Sequence, residues 1–205
     1  MIIIGYDPGG AGSNGVAVLD VPAAGEARAW VCTKSYVDEA MAWILDRLGD
    51  AEPNAPGIDT YLSWSTGSSG WRPMDTLLKR QYPAVQLSVF ASNSAQGSMA
   101  VQGMAMALRL RGLWGDRIRL NETHPKVAYY ALAGVRYEFD DALVRWLLNR
   151  FNPPLNVPVR DDHQWDALFS AWATWMGETG KWNGNLMLDA HDLLLPAGEV
   201  TYYWP

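Results

Sequence analysis

The sequence contains one cysteine, Cys32, among its 205 residues. A single thiol excludes an intramolecular disulfide framework, so we expect a reducing compartment. The sequence also lacks an uninterrupted apolar run of the roughly 20 residues that a membrane-spanning helix needs. Met1 leads directly into a short isoleucine run, without the basic segment and long apolar segment of a secretory signal. These absences predict a soluble, cytoplasmic protein with no membrane partner.

Positive charge is scarce as well, with 16 lysines and arginines against 22 aspartates and glutamates and a formal net charge of −6. This balance argues against a protein that coats nucleic acid through a basic surface, because that affinity comes from neutralising phosphates. A nuclease remains compatible, because enzymes that hold divalent cations concentrate carboxylates at the site. Any basic groove must be local, and its candidates are Arg109, Arg111, Arg117 and Arg119. Their simpler interpretation is a solvated helix end and strand edge.

Hydrophobic residues make up 49% of the chain and include 11 tryptophans. This content is ample for one continuous core, so a single domain is the simpler organisation. Most tryptophans fall in helical patterns and are expected to pack, although one or two could stack on a base or sugar. We predict one domain over residues 1–179, with residues 180–205 as a C-terminal extension that packs on it or meets a partner.

Apolar runs and turn residues predict the order of the elements. Runs at residues 2–6, 15–19 and 27–33, separated by turns, predict a three-stranded antiparallel meander. Helical spacing predicts a first helix that begins near residue 35 or 38. Further helices are predicted over residues 73–81, 98–111, 125–133, 140–149 and 164–176. Short apolar runs predict further strands at residues 58–62, 85–90 and 118–121. The pattern indicates an α/β protein whose mixed sheet combines the meander with parallel strands and is flanked by helices on both faces.

The first chemical motif is Gly-Tyr-Asp-Pro-Gly-Gly at residues 5–10, where Asp7 ends the first strand. In one interpretation Asp7 holds a divalent metal, while Gly9, Gly10 and Gly12 let phosphate oxygens approach the backbone. In the other, Asp7 and the glycines only build a tight hairpin, since turns require these residue types. The motif alone leaves both interpretations open.

Two further motifs place acidic residues after short strands. Asp59 follows the apolar Ile58, and Glu122 ends a strand in Asn-Glu-Thr-His-Pro at residues 121–125. His124 precedes a helix that Pro125 opens. A capping or loop histidine explains His124 as well as a site role does.

The fourth motif is Asp-Asp-His-Gln-Trp-Asp-Ala-Leu at residues 161–168. Asp162 and Asp166 stand four residues apart, so both project from one face at the start of a helix. Like charges at that spacing repel each other, and a cation between them would compensate. Helix capping and the helix dipole account for Asp161 and Asp162, but they explain Asp166 poorly.

In their order and spacing, the four motifs resemble the DUF429 family of predicted nucleases in the ribonuclease-H-like superfamily. The resemblance includes Leu-Ser-Trp at residues 62–64 and covers the chain up to about Met176. The Asp on the first strand and the Asp-Ala pair in the late helix also resemble the RuvC type of Holliday-junction resolvase. The chain departs from the family at Lys126, where the family usually has Glu after His-Pro.

The resemblance implies a ribonuclease-H-like fold and hydrolysis of phosphodiester bonds in DNA or RNA. It implies a pool of metal ligands with Asp7 at its centre, namely Asp7, Asp59, Glu122, Asp162 and Asp166. Two Mg²⁺ or Mn²⁺ ions would activate water and stabilise the leaving oxygen.

Beyond the metal ligands, three side chains have expected roles in catalysis. His124 or His163 would move a proton or contact phosphate, and Lys126 would pair with a phosphate. A predicted alternative is a non-catalytic nucleotide- or phosphate-binding or regulatory protein on the same fold, since fold does not dictate function. A degenerate member whose carboxylates bind no metal is a third.

Overall fold

The computed structural model describes residues 1–94, 97–188 and 191–205. In chain order its strands are β1 (Ile2–Asp7), β2 (Asn14–Asp20), β3 (Arg28–Lys34), β4 (Ala55–Ile58), β5 (Trp64–Ser65), β6 (Leu120–Glu122), β7 (Gly184–Asn185), β8 (Leu193–Leu194), β9 (Val200–Thr201) and β10 (Tyr203–Trp204). The α-helices are α1 (Val37–Leu48), α2 (Pro73–Gln81), α3 (Gly97–Trp114), α4 (Pro125–Ala133), α5 (Asp141–Leu148) and α6 (Asp162–Glu178). None of the described helices is both long and apolar enough to cross a membrane.

Six of the strands form one mixed sheet in the order β3-β2-β1-β4-β6-β9. β1, β2 and β3 pair as an antiparallel meander, while β1, β4, β6 and β9 run parallel. The register aligns Tyr6 with Ile58 and Ile58 with Glu122. The carboxyl ends of β1, β4 and β6 therefore meet at one edge of the sheet. The prediction of a mixed sheet built on a meander is confirmed.

Helices cover both faces of this sheet, as predicted. Alternate strand residues point to opposite faces, so Ile3 and Ala17 join the core beneath α4, α5 and α6. Ile4 and Val16 join the core beneath α1 and α3. On the α6 side the core is rich in aromatic rings, with Trp165 fully buried. This layering explains why β1 and β2 are buried along almost their whole length.

Helix α6 lies unusually close to the sheet because three neighbouring strands present glycines to it. A Cβ atom added to Gly5 on β1 would lie 1.9 Å from the backbone oxygen of Ala167. The same atom on Gly15 of β2 would lie 1.9 Å from the oxygen of His163, and on Gly57 of β4 it would lie 2.3 Å from a backbone oxygen of α6. The absence of these side chains lets the helix backbone rest on the strands, which places the start of α6 at the edge where the parallel strands end.

We expect Gly5→Ala to lower the free energy of unfolding by about 2–3 kcal/mol, because the methyl group must displace the backbone of α6. Urea unfolding of this variant and the wild type measures the change. The matched control is Gly112→Ala in α3, where an added Cβ meets no atom within 4 Å. That substitution should stabilise the protein by up to about 1 kcal/mol, since alanine is the better helix former. Equal unfolding midpoints for Gly5→Ala and the wild type would contradict the close contact.

The C-terminal segment contributes to the main sheet through β9. Val200 pairs with Leu120 and Thr201 pairs with Asn121 of β6 in parallel. The Asn121 side chain extends this contact, because its Oδ1 atom accepts hydrogen bonds from the Thr201 hydroxyl and the Tyr203 backbone N–H. The division of the chain at residue 179 stays a prediction.

Two predicted strands differ from the structure. Residues 85–90 were expected to form a strand, but Pro83–Ser88 is a short 3-10 helix. Pro83 suits a helix start, and the buried Val85 and Val89 are four apart, with Leu87 between them exposed, which is not strand alternation.

The strand predicted over residues 58–62 instead spans Ala55–Ile58. Pro56 and Gly57, which precede the predicted strand, lie in this buried strand, where Gly57 admits the backbone of α6. Beyond Ile58 the chain leaves the sheet, and the Thr60 N–H donates back to the Ile58 carbonyl.

Candidate metal centre

Three aspartates converge at the edge of the sheet. Asp7 ends β1, Asp59 directly follows β4, and Asp166 lies in the second turn of α6. One carboxylate oxygen from each lies within 4.8 Å of the other two. Asp7 and Asp166 are buried, and the Asp59 side chain is 16% exposed. The fold itself produces this arrangement, because two adjacent parallel strands end here and α6 rests directly on them.

The cluster concentrates negative charge in a poorly solvated place. Burial, and then the neighbouring Asp59, raise the pKa of Asp7 well above its usual range. Burial, followed by Asp7 and Asp59, does the same to the pKa of Asp166. Burial is also the main cause that raises the pKa of Asp59 to about 7. Each ionised carboxylate therefore disfavours ionisation of its neighbours, and a bound cation would favour the ionised forms.

Lys126 supplies part of the missing positive charge. Its Nζ atom lies 3.8 Å from the Asp166 Oδ2 atom. Burial alone would lower the pKa of Lys126, but the carboxylates of Asp166, Asp59 and Asp7 raise it, so the ammonium stays charged. The residue at which the sequence departs from the family pattern thus contacts the cluster.

Two histidines stand at the cluster with different roles. The Nδ1 atom of His163 lies 2.7 Å from the Asp7 Oδ2 atom, so this ring orients Asp7. The Nε2 atom of His124 lies 2.9 Å from the Ser88 carbonyl oxygen, which can only accept a hydrogen bond, so Nε2 carries the proton. Burial lowers the pKa of His124 to about 4, which keeps its ring neutral. Its Nδ1 atom is then an acceptor 3.9 Å from Asp59 Oδ1.

The site contains polar atoms that nothing in the described part of the chain satisfies. The Asp166 Oδ1 atom and the Tyr137 hydroxyl are buried and have no hydrogen-bond partner among the described residues. Tyr137 borders the centre, since Lys126 Nζ lies 5.0 Å from the centre of its ring. An unpaired buried carboxylate oxygen is costly, so it marks a place where a ligand fits. The donors are all oxygen, which suits Mg²⁺ or Mn²⁺ better than softer ions.

Tyr137 was missed by the sequence predictions, because it lies in the loop between α4 and α5 without a motif of its own. The pKa of its hydroxyl is raised, first by burial and then by the charge of Asp166. The sequence offered one weak indication of its place. Tyr137 comes shortly after Gly134, the left-handed residue at which α4 ends.

The structure places Glu122 in a buried ion-pair network and outside the aspartate cluster. Its Oε1 and Oε2 atoms lie 2.6 Å and 2.8 Å from the Arg72 guanidinium, and Oε2 also accepts from the Leu62 N–H. Arg72 binds both carboxylate oxygens of Asp75 as well. Arg72 therefore engages both oxygens of Glu122, and the structure does not bring this carboxylate into the aspartate cluster. A role of Glu122 as a metal ligand stays a prediction.

Asp162 also lies outside the cluster. Its side chain is 43% exposed, and its Oδ1 atom lies 3.9 Å from the His163 Nε2 atom. Asp161 caps α6, because its Oδ1 atom accepts from the Gln164 N–H. Of the acidic residues at this helix start, only Asp166 contributes to the cluster. The structure therefore does not bring Asp162 and Asp166 together around the expected cation, and Asp166 instead joins Asp7 and Asp59.

Each of the four arginines proposed for a basic groove has a partner, although the buried Nη1 atom of Arg109 has none among the described residues. Arg109 pairs with Asp38, Arg117 with Glu52 and Arg119 with Glu178. The Arg111 guanidinium donates to four backbone carbonyls, those of Gly115, Ile118, Ala197 and Glu199. Their simpler interpretation as structural and surface residues agrees with these contacts.

The mixed sheet with helices on both faces has the ribonuclease-H-like fold that the sequence predicted. The family model described as "Protein of unknown function (DUF429)" matches residues 5–185, so the chain belongs to that family, as the motifs indicated. The solved structure titled "Thermus thermophilus RuvC structure" is similar, with a TM-score of 0.52 and 18% sequence identity over 88% of this chain and 97% of that chain. Such a likeness establishes the fold alone. No curated protein matches the chain.

Proposed function

We propose that this protein is a metal-dependent nuclease that hydrolyses phosphodiester bonds in nucleic acid. The observation that carries the proposal is the convergence of Asp7, Asp59 and Asp166, largely buried, with their ligand atoms within 4.8 Å of one another. The likeness to the RuvC structure supports the fold that would position such a centre. The cytoplasmic location stays a prediction from the sequence.

The three aspartates would hold Mg²⁺ or Mn²⁺ at the edge of the sheet. Such an ion supplies Lewis-acid stabilisation of the charge that develops on the phosphate oxygens. The two ions that the family resemblance implies stay a prediction, because the structure brings three carboxylates together and leaves Asp162 at the rim.

The remaining side chains would bind and orient the reacting groups. His163 donates to Asp7 and so fixes the direction of that carboxylate. The unprotonated Nδ1 atom of His124, beside Asp59, would accept a proton from an attacking water. Lys126, with its side chain 41% exposed, would pair with a phosphate oxygen of the substrate.

The proposal is tested by incubating the protein with single-stranded, duplex and branched DNA and RNA in Mg²⁺, in Mn²⁺ and in chelator. We expect cleavage in the two metals and none in chelator, and Asp166→Asn should abolish it. If every substrate stays intact and calorimetry detects no Mn²⁺ binding, the nuclease proposal fails. If Mn²⁺ binds and a nucleotide binds without cleavage, the non-catalytic alternative replaces it.

A second prediction separates metal binding from catalysis. Mn²⁺ at about 100 times its dissociation constant should stabilise the wild type by about 2.7 kcal/mol, because it binds only the folded centre. Asp166→Asn should gain nothing from Mn²⁺. Without metal, however, this variant should be at least as stable as the wild type. Removing a buried carboxyl group that lies beside Asp7 and Asp59, and whose Oδ1 atom has no partner in the described chain, should outweigh the loss of the 3.8 Å contact with the partly exposed Lys126. Thermal unfolding with and without Mn²⁺ measures both effects.

The control for this comparison is Asp141→Asn at the start of α5, an exposed aspartate away from the cluster. It should keep the full stabilisation by Mn²⁺. If Asp166→Asn is less stable than the wild type in chelator, contacts within the protein already stabilise the cluster. That result would contradict the interpretation of the cluster as a cation site.

A further inference from the structure

A cavity of about 300 Å³ opens directly beside the metal centre. We call it the side pocket, and its walls include Asp59, Tyr61, Phe90, His124 and Lys126. Asp59 and Lys126 belong to both places, so a molecule in the side pocket would touch the metal centre. Ligand pockets usually range from about 300 to 1,000 Å³, so this one has room for a single small group and not for a length of polymer.

The rim of the side pocket carries exposed apolar side chains. Leu87 is 84% exposed, Phe90 is 42% exposed and Met99 is 41% exposed. Large apolar groups that are exposed together beside a polar site mark a surface for a ligand. Nucleobases suit such a surface, since every base has an apolar face that stacks on aromatic rings.

Phe90 is held in position by Tyr61 across the pocket wall. The Tyr61 hydroxyl donates to the Phe90 carbonyl oxygen at 2.9 Å and accepts from the Phe90 N–H at 3.1 Å. The Tyr61 ring in turn lies 4.7 Å from the buried Arg72 guanidinium. These bonds hold the backbone of Phe90, so the segment that carries the ring is ordered at the pocket wall before a base binds, which lowers the entropic cost of binding.

The distribution of charge disfavours recognition through a duplex backbone. Duplex binding relies on neutralising many phosphates with free lysines and arginines. Here the net charge is −6, and Arg109, Arg117 and Arg119 pair with carboxylates and do not line the side pocket. Lys126, at the junction of the side pocket and the metal centre, is placed for a single phosphate.

We propose that the side pocket binds one unpaired nucleobase next to the phosphate to be cleaved, so that the substrate is single-stranded DNA or RNA. This inference rests on the proposed nuclease function. Phe90 stacks on the base, Leu87 and Met99 cover its edge, and Lys126 contacts the adjoining phosphate. A base within a duplex is stacked and paired, so it would first have to leave the helix at a cost of a few kcal/mol.

The kinetic test compares Phe90→Ala with the wild type on a single-stranded DNA, a single-stranded RNA and a hairpin duplex in Mn²⁺. On the single strand that is the substrate we expect KM to rise about 10- to 100-fold, because stacking on an aromatic ring is lost, while kcat changes less than threefold. Phe90→Tyr should restore KM. Leu113→Ala in α3, a 52% exposed apolar residue outside the side pocket, is the matched control and should leave KM unchanged.

A binding test that involves no cleavage distinguishes this inference from the nuclease proposal. The probe is 2-aminopurine riboside in chelator, whose fluorescence falls when the base stacks. The wild type should quench it saturably, and Phe90→Ala should bind it at least about tenfold more weakly. Quenching without any nuclease activity would refute the nuclease proposal and uphold base binding. Cleavage of duplex and single strands alike, unaffected by Phe90→Ala, would overturn the side-pocket inference and leave the nuclease proposal intact.

Discussion

Replacing Asp7 with asparagine is expected to lower the rate of Mn²⁺-dependent cleavage by more than about 100-fold. Asp7 belongs to the three-carboxylate cluster and is oriented by His163. The amide keeps the shape of the side chain but carries no charge and offers one weaker oxygen. Removing a partner that only orients a metal ligand already costs about 10- to 100-fold, so removing the ligand itself should cost more. Initial rates at saturating Mn²⁺ measure the effect.

Asp20→Asn is the matched control for this variant. It makes the same change of charge at the far end of the meander, where Asp20 pairs with Ile2, whereas Asp7 pairs with Gly15. Cleavage by Asp20→Asn should stay within about twofold of the wild type, since a partly exposed charge at the far end of the strand is screened. If Asp7→Asn retains wild-type cleavage while remaining folded, the chemistry does not take place at this centre.

Arg72→Met is expected to lower the free energy of unfolding by about 3–5 kcal/mol, because it leaves Glu122 and Asp75 buried without their cation. The Arg72 side chain is fully buried, and the two carboxylates are almost so. Urea unfolding at neutral pH measures the loss. Arg117→Met, at an exposed pair with Glu52, is the matched control and should cost less than about 1 kcal/mol. A loss below 1 kcal/mol for Arg72→Met would contradict the buried network.

Glu122→Gln separates the two roles considered for Glu122. If Glu122 acts through Arg72, the variant should lose stability but still gain the full stabilisation by Mn²⁺. If Glu122 is a metal ligand, as its place at a strand end suggested, the stabilisation by Mn²⁺ should be lost instead.

Much of the fold was predictable because it depends on short-range patterns. Apolar runs identified the meander, helical spacings identified the principal helices, and turn residues marked their ends. β4 was misplaced because proline and glycine usually indicate a loop. In this strand Gly57 serves instead to admit the backbone of α6, and nothing in the local sequence reveals a helix more than 100 residues away.

The metal centre was predictable only in part. Asp7 and Asp59 follow apolar strands, and strand ends converge in a parallel sheet, so their meeting follows from topology. Glu122 satisfies the same rule but is neutralised by Arg72, 50 residues away in the chain. No spacing rule relates those two residues. The separation of Asp166 from Asp162 depends on the rotation of α6, which the contact with the sheet decides.

The glycine contact between α6 and the sheet also bears on how a relative could lose the proposed activity in the course of evolution. A substitution at Gly5, Gly15 or Gly57 disturbs the helix that carries Asp166. Such a substitution should therefore reduce the stability of the fold and the proposed activity together. A substitution at Asp7 leaves the glycines intact and should yield a protein that still folds but lacks the proposed activity. Relatives that persist without activity should therefore keep the glycines and vary at the aspartates.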